Sequence, residues 1–280
     1  MKSNRLLSKV GRRRTLVPGL LCFVLAGVVM SSGLAAPKRT KLTEMVSQRQ
    51  TKVNLSVNDP RPVAKAITML EARYGWIITY EDPRYAHADD ISDVTEKVRR
   101  DLSKYPEGQA PRVLIPKGGD LSFDYDVLAE TNLPSDPEVV VRQLLNAQAG
   151  TGNSARFRLE RSQTIIHVIP SVVKDRSGRS IPQQSLLDTM VTLSSNERTG
   201  LRTLEELTES VAKTAQVRII LGNIPFELFL RHKDSQGATG QRAREFLLQL
   251  LQRISPDRPL SWQLLYDPGL KMYALNIYAL

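Results

Sequence analysis

The chain has 280 residues, of which 41% are hydrophobic and 24% charged, with a formal net charge of +10. A chain of this length is ample for one or two hydrophobic cores. A single cysteine, Cys22, excludes an internal disulfide and a multi-thiolate metal site, and basic residues interspersed with acids ("EKVRRD", "QRAREF") argue against a nucleic-acid face.

Residues 1–36 read as a secretory signal peptide. "MKSNRLLSKVGRRR" carries six basic residues and no acid, and is followed by the apolar run "LVPGLLCFVLAGVVM" and the small residues "SSGLAA". Cleavage after Ala35 would place Gly33 and Ala35 at the small-residue positions and leave a chain of about +4. The alternative is an uncleaved anchor. Leu16 to Met30 spans only about 22 Å as a helix, short of a hydrocarbon core of about 30 Å. Both Sec and twin-arginine export are open. Export places the protein in the periplasm, or at the inner membrane facing the periplasm if the segment stays attached.

After a polar lead-in, 37–51, one order of elements occurs twice. In residues 52–170, "KVNLSV" alternates as a half-buried strand, and "PVAKAITMLEARY" puts Val63, Ile67, Leu70 and Tyr74 on one helix face, with Gly75 as its stop. "WIITY" is a strand, and residues 84–120 form a long insertion. Across the end of it, "VLIPKGGDLSFDY" reads as a hairpin turning on its glycines. "SDPEVVVRQLLNAQAG" predicts a helix with a Ser135/Glu138 capping box and Val141, Leu144 and Leu145 facing inward. "ARFRLE" and "TIIHVIP" are two strands joined by a short turn.

Residues 171–185 have the composition of a linker, and residues 186–280 repeat the order. "TMVTLSS" is a strand, and "TLEELTESVAKTA" a helix capped by Thr203 and Glu206. "VRIIL" is a strand, and "QRAREFLLQLLQRI" a helix burying Phe246, Leu247, Leu250, Leu251 and Ile254. "LSWQLLY" and "KMYALNIY" form a hairpin over Asp267-Pro268-Gly269. The expected fold is α+β: two tandem small open mixed β-sheet units, each with two helices packed on its sheet in the order βαβ…αββ. A period of this length is a domain duplication and not a solenoid.

This pattern resembles the short N-terminal domain of secretins and TonB-dependent receptors, the STN domain. The resemblance is carried by Leu55, Ile67, Leu70, Gly75, Ile77, Ile78, Tyr80, Leu144, Leu145, Gly150, Phe157, Ile165, Ile166 and Val168. In the second half it is carried by Leu193, Leu207, Val211, Ile219, Leu247, Leu250, Trp262, Leu264 and Leu275. It implies a non-catalytic module that binds other envelope proteins. The insertion 84–120 departs from the family pattern, as does the lack of a barrel or secretin segment after the second unit.

Residues 81–90 are the main chemical candidate. Glu81, Asp82, His87, Asp89 and Asp90 offer ligands for a hard or borderline cation, which would suit a metal-dependent envelope hydrolase. Their spacing matches no ligand loop, and Pro83 interrupts it, so the expectation is a solvated strand end and loop. Tyr80, Glu81, Asp82, Tyr85, Asp89 and Asp90 then form a candidate interaction surface. His87, His167 and His232 are scattered, and Ser185 lacks the glycines of a nucleophile elbow. No catalytic, cofactor or metal residues are assigned. The expected partner is an envelope protein, with no nucleic acid, and a membrane only if the N-terminal segment is retained.

Overall fold

The structure, a computed structural model, describes residues 50–152 and 155–280. The expected signal segment, and the lead-in up to residue 49, lie outside these residues. The first elements are strand β1 (Gln50–Asp59), helix α1 (Pro62–Tyr74), strands β2 (Ile78–Glu81) and β3 (Ile91–Asp93), and the short helix α2 (Thr95–Val98). Strands β4 (Leu114–Pro116) and β5 (Gly119–Leu128) follow, then helix α3 (Pro137–Gly150) and strands β6 (Arg156–Ser162), β7 (Ile165–Lys174) and β8 (Ser180–Pro182). The chain continues through β9 (Met190–Leu193), β10 (Arg198–Thr199), α4 (Gly200–Ala215), β11 (Arg218–Leu221) and α5 (Phe226–Arg231). It ends with β12 (Lys233–Asp234), β13 (Ala238–Arg242), α6 (Ala243–Ile254), β14 (Leu260–Asp267) and β15 (Met272–Ala279). The α+β class is as expected.

Local signals explain several helix ends. Pro62 opens α1, where its missing N–H costs nothing, and Gly75 closes it at φ 68° with its N–H on the Glu71 carbonyl. Two caps differ from expectation. Asp136, not Ser135, accepts the Glu138 N–H at the start of α3. Thr199, not Thr203, accepts the Arg202 N–H at α4, and Thr203 is fully buried inside that helix. Both shifts move the cap to whichever oxygen sits on the last extended residue.

Pairing follows one scheme in both halves of the chain. β1 runs antiparallel to β5, and β9 antiparallel to β13. β7 lies parallel to β2 and antiparallel to β6, while β15 lies parallel to β11 and antiparallel to β14. The two three-stranded groups do not stay separate. β14 pairs in parallel with β2, giving one sheet in the order β11-β15-β14-β2-β7-β6, with β8 added beside β7. The expected pair of separate sheets is therefore one shared sheet. The expected linker 171–185 contributes to it as well, through the end of β7, a turn and β8.

Two cores lie on opposite faces of this sheet. On one, Ile67 and Leu70 of α1 and Val141 and Leu144 of α3 pack with Ile78, Tyr80 and Val168, and are covered from outside by Leu121, Phe123 and Tyr125 of the β1–β5 ribbon. On the other, Leu204, Leu207 and Val211 of α4 and Phe246, Leu247 and Leu250 of α6 pack with Trp262, Leu264, Tyr273 and Leu275. The strand joint makes each face partly shared. Gln263 of β14 hydrogen bonds Thr68 of α1, and Arg244 of α6 reaches Glu81 of β2.

The insertion 84–120 is folded around the β3–β4 pair, with Ile91 opposite Pro116. The expected hairpin over its glycines does not form, because β4 pairs with β3 while β5 pairs with β1. Gly118 serves a close approach instead. A Cβ on Gly118 would lie 2.0 Å from the Asp59 carbonyl oxygen.

Candidate functional site

β2 is four residues long, and all four are buried. Its centre position in the sheet removes its end from solvent, so the expected acidic rim is corrected. Glu81 is 2% exposed and Asp82 1%. Tyr80 is buried too, its ring in the first core. Tyr85 is half-buried against the second core, while Asp89 is exposed and Asp90 half-buried in the following loop. The six residues expected to share one surface thus divide between an internal network and a loop.

Burying two adjacent carboxylates demands partners, and each has its own set. Side chains alternate along β2, so the two point to opposite faces. Asp82 takes the Arg61 Nε–H at 2.6 Å, the Tyr266 N–H at 3.0 Å, and the hydroxyls of Tyr80 and Tyr85 at 2.8 and 3.3 Å. Arg61 also donates to the Tyr266 carbonyl at 2.6 Å. Glu81 takes Arg244 at 2.6 Å and the Ser185 hydroxyl at 2.7 Å. Ser185 in turn accepts from Arg244 and from the Leu187 N–H, and Arg244 bridges on to Asp188, which also meets Arg158 at 2.8 Å. Burial raises the pKa of both carboxyls, and the facing arginines pull them back. Tyr80 and Tyr85 are pushed well up by burial and by Asp82, and so remain neutral donors.

His167 lies beside this network on β7. Its Nδ1 shares a 2.6 Å hydrogen bond with the Thr79 hydroxyl, and its ring stacks on Trp262 at 6.4 Å. Burial, then Arg244, lowers it to about 4, so it is neutral near pH 7. Arg244 itself sits over Trp262, 5.8 Å from the ring centre.

This arrangement binds the halves together and leaves little for chemistry. All four oxygens of Glu81 and Asp82 already accept internal hydrogen bonds. The ligand set imagined for a metal hydrolase is not assembled, since Glu81 and Asp82 are held in separate pairs while His87 meets Asp89 at 3.2 Å. Among the described residues no group of three or more His, Cys, Asp or Glu could hold a metal ion. Nor, among them, is any helix long and apolar enough to cross a membrane.

Sequence reasoning missed Arg61, Arg244 and Asp188, and set Ser185 aside as a linker residue. One signal was present. Arg244 stands three positions before Leu247 and seven before Leu251, in line with the buried stripe of α6. An arginine on an apolar stripe implies a buried acidic partner.

Among the described residues the sheet also has two free edges of different character. At one, β6 carries Arg156, Arg158, Glu160 and Arg161, the charged residues that discourage edge pairing. At the other, β11 reads Arg218-Ile219-Ile220-Leu221, with Ile220 40% exposed. The Gly222 N–H donates to the Leu275 carbonyl at 2.9 Å, and in a parallel ladder every second residue turns its backbone groups to the partner strand. Arg218 and Ile220 are in step with Gly222 and face β15. The backbone N–H and C=O of Ile219 and Leu221 therefore face outward from the sheet, while their side chains pack on the second core. No protein-family model, curated protein or solved structure matches this chain.

Proposed function

We propose that the protein is a non-enzymatic binding and assembly module of a bacterial cell envelope, built from two tandem STN-like units and located in the periplasm. The repeated pairing scheme supports the duplication, and the N-terminal signal pattern supports the location. The observation that carries the reading is the edge of β11, unpaired among the described residues. It offers outward backbone donors and acceptors, one exposed isoleucine and a single charge, which suits strand addition by an extended segment of another envelope protein.

A proline tests it. Ile219→Pro removes an outward N–H and leaves the β11–β15 ladder its own donors, so the fold is kept. Capture of crosslinked envelope partners by the full chain should be lost in this variant. Ile220→Pro, which removes a ladder donor, serves as the destabilised control. Undiminished capture by a folded Ile219→Pro protein would refute the edge as the docking site.

A further inference from the structure

The parallel strands β2, β7 and β14 all end on the same side of the sheet, and β11 and β15 begin there. Outside these ends lies a cleft of about 550 Å³, walled by the β7–β8 turn, the end of α4 and the β14–β15 turn. Open sheets with parallel strands receive small ligands at this position, because the strand ends and their loops leave a crevice between the flanking layers.

The cleft has a consistent chemistry. Tyr85 and Tyr273 line it together with Leu186, giving an aromatic and aliphatic body. Arg84, Lys174, Arg176 and Lys271 line it as well, and no ion pair joins any of these four to an acid among the described residues. The one acid on the lining, Asp175, is already committed. It accepts from the Ser177 and Arg179 N–H groups at 2.8 and 3.0 Å and pairs with the Arg179 guanidinium. Both tyrosine phenols are held neutral by burial and by Asp82 behind them, so they add no charge to oppose an anion. Four cations around an apolar floor with no free acid form a site for one kind of ligand.

We propose that this cleft binds a small organic anion with an apolar body. The charge is met by Arg84, Lys174 and Lys271, and the body lies against Tyr85, Tyr273 and Leu186. The site adjoins the start of β11 and does not depend on the docking role of that strand's edge.

The test uses the full chain and two probes of nearly equal shape. One is anionic 8-anilinonaphthalene-1-sulfonate, and the other is the uncharged N-phenyl-1-naphthylamine. The anionic probe should bind at one saturable site, about tenfold or more tighter than the neutral one, and weaken as salt is raised. Arg84→Glu with Lys271→Glu should cost about tenfold or more in affinity for the anionic probe. Ala215→Trp, which fills the cleft from the end of α4, should abolish binding of both probes without altering the charges. Phenyl phosphate and phenylacetate should displace the anionic probe, and their ranking identifies the preferred headgroup. Equal binding of the two probes, displacement by neither anion, or unchanged affinity in both variants would overturn the proposal. If the charge reversal unfolds the protein, the cleft-filling variant and the probe pair still decide.

Discussion

Glu71→Gln is expected to stabilise the protein above neutral pH and to do nothing in mild acid. Glu71 lies near the end of α1, 4% exposed, with its carboxylate accepting the Ile78 N–H at 3.0 Å. Burial raises its pKa from 4.5 to about 7, against the opposing hydrogen bonds of Ser261 and Ile78. The unfolded chain therefore releases this proton near 4.5, while the folded chain keeps it until about 7. Stability contributed by the group is fully present below 4.5 and falls as pH climbs to about 7. At about 1.4 kcal/mol per pH unit over this interval, the loss is about 3–4 kcal/mol. Glutamine has the same shape and can still accept the Ile78 N–H, but it never ionises. Denaturant melts of both proteins across pH 4–8 should show curves that coincide in acid and separate by about 3–4 kcal/mol at the alkaline end. A constant difference at every pH would refute the buried, proton-retaining carboxyl.

Arg244→Met should cost about 3–5 kcal/mol, because it strands Glu81 without its cation, and Glu81→Leu added to it should recover most of the loss. Chemical denaturation of the two variants decides this, and a single-variant cost below about 1 kcal/mol would contradict the buried pair. Leu144→Ala and Leu250→Ala occupy corresponding helices in the two halves, both fully buried, and each should cost about 2–5 kcal/mol by the same assay.

Much of the helical framework was legible in the chain, because periodicity and turn chemistry act over a few residues. The faces of α1 and α6, the Gly75 stop and the Asp267-Pro268-Gly269 turn all follow from such local rules. The environment of Glu81 and Asp82 does not. Their strand ends in charge and proline, which is how a solvated strand end looks when only neighbours are considered. What buries them is β14, and what neutralises Glu81 is Arg244, both from the far half of the chain. The β4–β5 hairpin failed for a related reason, since each strand found a better partner outside the local stretch. The charged cleft was equally hidden, as its cations come from turns and a strand end scattered over the sequence.

The seam between β2 and β14 registers only two residue pairs, Tyr80 with Gln263 and Glu81 with Leu264. Each half brings its own core to that seam, and the chain between them crosses once, through β7, its turn and β8. Such a joint has no preference for its own chain. β2 of one copy would meet the same backbone and the same arginine on β14 and α6 of another, so exchange of halves would keep the pairs of the seam and give up only contacts of the crossing. What favours closure within one molecule is the high local concentration set by the short crossing. The Asp175 turn, whose side chain holds the Ser177 and Arg179 amides, fixes the direction of that crossing.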